Sequence, residues 1–297
     1  MYQPTITSLP DVATQKTSHQ DQTINWVGMG ELRIPLTFSD GAINLQVLAR
    51  CEAFVNLVEG GVRGIHMSRL HLLTDAMTGC AKDELRALLG NFIQTHSSMS
   101  TAARIMLCFE LVLKRRALVS NNYGWRSYPV KIEAMLDGHG LELHMGVEID
   151  YSSTCPCSKA LAEQMVLTKF TEDMGDTREL SRDQMEAWLG QNAIYASPHS
   201  QRSRASVRVR VDEKGNWGVQ TLIDMIEGRL QTAVQSVVKR EDEQRFALLN
   251  GQNPMFCEDA ARTIKNTLIG KYESFNLRVD HYESLHAHNV VAMCSYP

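Results

Sequence analysis

The sequence predicts an α+β fold in which antiparallel strands and helices form two halves with the same element order. Three observations support this prediction. Apolar residues alternate with other residues at Leu32, Ile34 and Leu36, as in a strand with one buried face. Leucines in residues 82–97 recur at the three- and four-residue spacing of a helix with one apolar side. An Asp-Gly pair at 137–138 lies between two apolar runs, which is typical of a hairpin turn.

The first half is predicted to contain two strands, two helices and two strands. In chain order these are residues 32–36, 43–58, 82–97, 101–119, 128–136 and 141–149. Residues 101–119 are interpreted as a helix because they are apolar around much of a helical circumference. The second half is predicted to repeat this order. Its strands are residues 204–211 and 219–226, its helices 230–249 and 258–268, and its closing strands 276–282 and 288–293.

The same patterns predict the domain organisation. Residues 1–24 are polar and are interpreted as a flexible N-terminal arm. A first unit is expected over residues 25–153 and a second over 154–297. Residues 160–197 have helical character and none of a strand, so we interpret them as a helical insertion in the second unit.

Composition excludes several classes of protein. The chain has 297 residues, 43% hydrophobic and 22% charged, which is typical of a folded globular protein rather than a disordered one. Its 30 basic and 34 acidic side chains give a net charge of −4, so no overall positive field attracts nucleic acid. Neither a membrane-spanning apolar run nor a secretory signal is evident. Seven cysteines, an odd number, argue against a disulfide scaffold, and we expect a cytoplasmic protein.

The densest group of reactive side chains is the segment SSTCPCSK at residues 152–159. It places Cys155 and Cys157 beside a predicted helix start and next to Lys159. Helix amides and an ammonium group favour the thiolate, which binds metals or attacks electrophiles. The spacing of the two thiols does not match a structural zinc finger. Two cysteines buried for packing remain the alternative interpretation.

Two further residues are candidate metal ligands. His199 precedes a predicted strand next to basic residues and is a metal ligand, a phosphate neighbour or an ordinary surface histidine. Glu243 lies four residues after Lys239 on a predicted helix, where a solvated ion pair explains both residues. A carboxylate on a helix is equally a hard ligand that completes a Cys, His and Glu set around zinc, iron or manganese.

Three residues near the C-terminus are candidates for substrate recognition and proton transfer. Glu258 begins a predicted helix, where an acid complements the positive helix end; it can also accept two N–H groups from a guanine-like edge. His286 and His288 are two residues apart, which suits metal binding, proton transfer or a solvated face.

A bound phosphate would need a cradle of basic side chains. The sequence has no Walker A motif and no dinucleotide-binding glycine motif after a strand. The candidate phosphate contacts are His66, Arg69, Arg202, Arg204, Lys239 and Arg240.

Several short segments together resemble GTP cyclohydrolase type IB, a prokaryotic enzyme family. In chain order they are LPDVATQ, INWVGMGELRIP, GIHMSRL, STCPCSK, HSQRS, VKREDEQ, FCEDAAR and ESLHAHN. The resemblance implies two tandem tunnelling-fold units, each with the order ββααββ, and active sites at the interfaces of a homotetramer. It implies hydrolysis of GTP to 7,8-dihydroneopterin triphosphate and formate, the first step of tetrahydrofolate and queuosine precursor synthesis.

The resemblance also assigns roles to residues. It implies one divalent metal per site, zinc, manganese or iron, and no nucleotide cofactor. The implied ligands are Cys155, His199 and Glu243, with Cys157 as a second catalytic thiol. Glu258 is implied as the guanine anchor, and His286 and His288 as proton-transfer groups. The implied triphosphate contacts are His66, Arg69, Arg202 and Lys239.

One departure from the family pattern concerns the segment between the cysteines and His199. In shorter members of the family the HSQRS segment follows the cysteines after a few residues, whereas here about forty intervene. We expect this insertion to be a peripheral helical flap that leaves Cys155 and His199 adjacent. Two rival functions remain at this point: an NADPH-dependent nitrile reductase of the queuosine pathway with a cysteine nucleophile, and a non-catalytic metal-binding oligomer.

Overall fold

A computed structural model describes residues 11–13, 22–58, 63–177 and 179–297. Most of the predicted N-terminal arm therefore lies outside the described residues. The strands are β1 (Ile24–Asp40), β2 (Ile43–Leu57), β3 (Ala103–Arg116), β4 (Tyr123–Asp137), β5 (Gly140–Thr154), β6 (Ser200–Arg210), β7 (Phe275–His281) and β8 (Val290–Tyr296). The helices are α1 (Met67–Asp75), α2 (Lys82–Thr95), α3 (Pro156–Met174), α4 (Arg182–Asn192), α5 (Val219–Leu230), α6 (Arg240–Gln252) and α7 (Cys257–Leu268).

The strands of the described residues form one eight-stranded sheet in the order of the chain, from β1 to β8. Strand β2 pairs antiparallel with β1 and with β3, and β7 pairs antiparallel with β8. The α+β class with an antiparallel sheet is thereby confirmed. No helix of the described residues is long and apolar enough to cross a membrane.

The predicted helix over residues 101–119 is wrong, because this segment forms strand β3. Alternate residues of β3 are buried, from Ala103 through Ile105 and Leu107 to Leu113. The residues between them include Met106 and Cys108, which are apolar enough to hide the alternation. A strand with one buried face and one partly apolar face therefore resembles a buried helix in sequence.

Two predictions in the second half are also wrong. Residues 219–226 are predicted as a strand but belong to helix α5. At the start of this helix, the amides of Gly218 and Val219 donate to the carboxylate of Asp40 at 2.8 and 2.7 Å. The capping residue, Asp40, lies 179 positions before Val219 in the sequence, so no local sequence pattern indicates this cap. The predicted helix over 230–249 is interrupted, because residues 231–239 separate α5 from α6. The neighbours of β6 in the sheet are β5 and β7, and not a strand over residues 219–226.

Other predictions agree with the structure. The Asp-Gly turn joins β4 to β5, and the Asp137 carboxylate accepts the amide of His139 at 2.8 Å. The segment over 160–197 is helical, as α3 and α4. Helix α7 and the two closing strands form close to their predicted positions, whereas α1 was not predicted.

Spatial contacts divide the chain into two compact units. The amino-terminal contact unit contains Met1–Leu111, Pro129–Gly146 and Val209–Gln220, and the carboxy-terminal contact unit contains Val112–Tyr128, Val147–Arg208 and Thr221–Pro297. Each has its own apolar core. In the first, the rings of Phe38 and Phe109 lie 5.0 Å apart; in the second, the side chains of Ile223, Ile264 and Phe275 are buried. The predicted boundary between residues 153 and 154 stays a prediction.

Candidate active site

Cys155 and His199 are neighbours although the helical insertion separates them in sequence. Cys155 directly follows β5 and is the N-cap residue of helix α3, and Pro156 occupies the first helical turn, where proline is favoured. The Cys155 amide donates to the His199 carbonyl at 3.2 Å, and the His199 amide donates to the Ser158 hydroxyl at 3.1 Å. The two ends of the insertion therefore lie next to each other, as expected. Cys155 is half-buried and Cys157 is exposed; both thiols are free.

The His199 ring contacts a buried polar network. Its Nδ1 lies 2.9 Å from the Gln201 side-chain oxygen and 3.8 Å from a carboxylate oxygen of Glu283. The Gln201 amide nitrogen donates to the Ser153 hydroxyl at 3.0 Å. These residues come from three elements: the end of β5, the start of β6 and the segment after β7.

The network continues inward from Ser153. The Ser153 hydroxyl lies 2.8 Å from that of Ser203 and 3.2 Å from Nδ1 of His281. The other ring nitrogen of His281 lies 2.8 Å from the hydroxyl of Tyr151. Burial lowers the pKa of His281 to about 4 and raises the pKa of the Tyr151 hydroxyl above its ordinary value. Both groups are therefore uncharged near neutral pH.

A cavity of about 500 Å³ lies beside this network, within the size range of small-molecule sites. Glu243 and Phe246 of α6 form one wall, and Arg202 of β6 contributes a positive charge. The remaining lining residues are Tyr151, Ser152, Ser200, Gln201, Val234, Gln235, Val238 and Ala247. The cavity therefore combines apolar walls with a few charged groups.

The residues between α5 and α6 complete the cavity because they pack against neighbouring strands. The Ser152 amide donates to the Thr232 carbonyl at 2.9 Å, and the Thr232 hydroxyl donates back to the Ser152 carbonyl at 2.6 Å. Gly124 of β4 allows Ser236 and Val237 to approach closely, because a Cβ at this position would overlap both side chains. The Arg126 guanidinium donates to the Val234 carbonyl at 2.8 Å.

Asp242 fixes the start of helix α6 and thereby the position of Glu243. Its buried carboxylate accepts the amides of Val119, Ser120 and Lys239 at 2.8 to 2.9 Å and the Ser120 hydroxyl at 2.7 Å. These donors hold the pKa of Asp242 well below its usual value. Glu243 itself is exposed toward the cavity.

The other predicted residues occupy exposed positions. Glu258 lies in the first turn of α7, and Asp259 caps that turn by accepting the Phe256 amide at 3.0 Å. His286 and His288 lie in the segment between β7 and β8, with their rings stacked and centroids 5.1 Å apart. Lys239 caps α6 with its backbone.

His66 and Arg69 belong to the amino-terminal contact unit, at the start of α1. Nε2 of His66 lies 2.9 Å from the Asp11 carboxylate, whereas its buried Nδ1 has no hydrogen-bond partner in the part of the chain that is described. The exposed Arg69 donates to the Thr95 carbonyl at 2.5 Å.

The donor types fit a divalent metal, although the described residues contain no ready-made cluster of three or more His, Cys, Asp or Glu ligands. His199 and the half-buried Cys155 are adjacent, and Glu243 lines the cavity that also includes Ser200 and Gln201. One ring nitrogen of His199 contacts Gln201, so the other is available to a metal.

Four further residues of this site are not predicted from the sequence: Gln201, Glu283, Ser153 and His281. A signal for two of them was present. Gln201 lies two residues after His199, so the two side chains fall on one side of an extended segment, and Glu283 is the first residue of the ESLHAHN segment. No local pattern points to Ser153 or His281, because their partners lie far away in the sequence.

Comparison with known proteins gives the family. The family described as type I GTP cyclohydrolase folE2 matches residues 9–292. GTP cyclohydrolase FolE2 of Pseudoalteromonas translucida is 44% identical over 292 residues, covering 96% of each chain. The protein of the same name from Bdellovibrio bacteriovorus is 44% identical over 296 residues, covering 97% of this chain and 96% of its own.

A solved structure supports the fold alone. The crystal structure of a hyper-thermostable uricase mutant superposes with a TM-score of 0.50, at 9% identity, over 92% of this chain and 91% of that one. This likeness agrees with the tunnelling fold that the sequence resemblance implies. Because the family match and the relatives cover nearly the whole chain, the protein belongs to the type I GTP cyclohydrolase folE2 family.

Proposed function

We propose that this protein is a GTP cyclohydrolase that converts GTP and water to 7,8-dihydroneopterin triphosphate and formate, the first step of folate synthesis. Its membership of the folE2 family supports this activity over a nitrile reductase or a non-catalytic metal-binding oligomer. The structural observation that carries the proposal is the cavity with Glu243 and Gln201 on its wall. Gln201 contacts the His199 ring, and the His199 carbonyl accepts the Cys155 amide.

The proposed site holds one divalent ion, zinc, manganese or iron. Cys155, His199 and Glu243 are its proposed ligands, since thiolate, imidazole and carboxylate suit all three metals. When bound, such an ion supplies Lewis acidity and lowers the pKa of a coordinated water to about 7. Cys157, which is exposed in the first turn of α3, is the second proposed catalytic thiol.

The chain's own residues bind the purine and move protons. Glu258 would accept the two N–H groups of the guanine edge, which fixes the orientation of the base. It lies exposed in the first turn of α7, so its carboxylate can be reached by a bound base. His286 and His288 are exposed, and their imidazole nitrogens are proposed to donate protons to and accept protons from the ring nitrogens of the substrate.

Basic side chains are proposed to bind the triphosphate. Arg202 lines the cavity, and the exposed Lys239 lies at the start of the helix that carries Glu243. His66 and Arg69 are the proposed contacts from the amino-terminal contact unit.

We also propose a cytoplasmic homotetramer with active sites at its interfaces. Strands β1 and β8 are the edges of the sheet of the described residues. Strand β8 exposes Val291 and Met293, the latter with 71% of its surface accessible. Antiparallel sheets of this kind avoid open edges by pairing across subunits, which supports an oligomer.

The test is incubation of the purified, metal-loaded protein with GTP. We expect one formate per GTP consumed and a pterin fluorescence that appears after oxidation. His288→Ala is expected to keep its metal and lose turnover by about 10²- to 10⁴-fold. Glu172→Gln, a change on the exposed surface of α3, is the matched control.

The ligands are tested separately by metal content. Cys155→Ala, His199→Ala and Glu243→Ala are each expected to bind less metal than the natural protein. Full metal content in all three variants would contradict the ligand assignment, and absence of formate from the natural protein would contradict the activity.

A further inference from the structure

The orientation of the His199 ring depends on one buried amide. Gln201 is 7% exposed, and its side-chain oxygen lies 2.9 Å from Nδ1 of His199. The same amide's nitrogen lies 3.0 Å from the Ser153 hydroxyl and 3.4 Å from a carboxylate oxygen of Glu283. Gln201 therefore contacts three polar side chains from three different parts of the chain.

The partners of Gln201 determine which way its amide points. The Glu283 side chain is 8% exposed, and a carboxylate only accepts hydrogen bonds. The amide nitrogen must therefore face Glu283, because the reversed amide would place two oxygen acceptors against each other. The amide oxygen then faces His199 and accepts a hydrogen bond from it.

The direction of that hydrogen bond determines the tautomer of His199. Because the Gln201 oxygen can only accept, Nδ1 of His199 must carry the proton. A carboxylate oxygen of Glu283, 3.8 Å from Nδ1, favours the same arrangement electrostatically. In this tautomer Nε2 carries the free lone pair of the ring.

The residues behind Gln201 hold it in place. Ser153 is fully buried and contacts Ser203 and His281 as well as Gln201. His281 in turn contacts the fully buried Tyr151. Rotation of the Gln201 amide would place its oxygen against the Glu283 carboxylate, in a buried region where unpaired polar groups are costly.

We propose that Gln201 is a positioning residue that locks His199 in the Nδ1-protonated tautomer and presents Nε2 to the metal. This inference rests on the proposed metal site and adds a residue to which that proposal gives no role. Partners of this kind around a metal-binding histidine affect metal affinity by about 10- to 100-fold when they are removed.

The first test uses the metal-free protein and does not require activity. Nitrogen-15 NMR of histidine-labelled protein reports which ring nitrogen of His199 carries the proton. We expect the Nδ1–H tautomer in the natural protein. Protonation at Nε2 would overturn the proposal, and this result needs no variant to fold.

The second test measures metal affinity by competition with a chelator, with Mn²⁺ and Zn²⁺ as probes. Gln201→Leu removes the acceptor and is expected to weaken binding by about 10- to 100-fold. Gln164→Leu, an exposed position on α3, should leave the affinity unchanged. Unchanged affinity in a folded Gln201→Leu protein would also overturn the proposal.

A paired exchange separates positioning from simple packing. In Gln201→Glu with Glu283→Gln, a carboxylate still accepts from Nδ1 of His199, and the new amide at 283 donates to it. We expect this double variant to recover the Nδ1–H tautomer of His199 and the metal affinity of the natural protein. Gln201→Glu alone places two carboxylates next to each other and should recover neither. Failure of the double variant to recover would contradict the proposal. A natural protein that binds metal with these properties but releases no formate would contradict only the proposed activity.

Discussion

His281 shows, at the scale of one residue, how burial makes stability depend on pH. Its side chain is almost fully buried, and desolvation lowers its pKa from 6.5 to about 4. In the unfolded chain the same imidazole takes up a proton below about pH 6.5. Between these two pH values the unfolded state binds more protons, so acidification favours unfolding. Below pH 4 both states are protonated and this contribution stops changing.

We therefore predict that His281 costs the protein up to about 3 kcal/mol of unfolding free energy as pH falls from 6.5 to 4. Thermal or urea unfolding at fixed protein concentration across this range measures the effect. His281→Asn removes the titration and should flatten the pH dependence, whereas His139→Asn, in the exposed β4–β5 turn, should not. An identical slope in natural and His281→Asn proteins would contradict the prediction.

The sequence allows the candidate site to be predicted in part, residue by residue. Cys155, His199 and Glu243 could be singled out because each has a recognisable local setting of cysteines, basic residues or helical charges. Their supporting network could not, because Ser153 and His281 are 128 residues apart and meet only in the folded protein. Uncharged buried side chains leave no pattern comparable to a charge cluster.

At the scale of elements, the periodicity of apolar residues correctly predicts helix or strand where one face of the element is clearly polar. Helix α7 is such a case, with buried Ala260, Ile264 and Leu268 on one side. Strand β3 was misassigned because its outward face carries Met106, Cys108 and Val112 beside charged residues. Helix α5 was misassigned because a largely apolar segment of this length suits either element, and its cap, Asp40, is distant.

The helical insertion has a small core of its own. The rings of Phe170 and Trp188 meet edge to face at 4.9 Å, and the Trp188 indole donates to the Asp173 carboxylate at 2.9 Å. The insertion begins and ends beside the hydrogen bond between Cys155 and His199. Its helices therefore contribute few side chains to the position of the proposed ligands.

We predict that replacing residues 160–196 by a short Gly-Ser linker gives a folded protein that still binds metal. Circular dichroism and metal analysis of the purified variant are the measurements. A second variant that replaces only residues 182–192, helix α4, serves as the control for the linker itself. Loss of metal with the remaining fold intact would show that the insertion helps to form the site.

At the scale of the whole molecule, the proposed residues divide between the two contact units. His66 and Arg69 belong to the amino-terminal contact unit, and Glu258 belongs to the carboxy-terminal one. In a homotetramer with sites at its interfaces, these groups can come from different chains. Inactive variants in the two units should then complement each other.

We predict that a His66→Ala/Arg69→Ala variant and a Glu258→Gln variant, each with little activity alone, regain activity when co-expressed. If each site takes one group from each of two chains, random mixing in equal amounts restores natural residues to about one quarter of the sites. GTP turnover and mass measurement of the mixed oligomer test this together. Glu258→Gln with His288→Ala is the matched control, because both positions lie in one contact unit and should come from the same chain. Recovery in that control, or none in the first mixture despite tetramers that contain both chains, would mean that the site is not shared in this way.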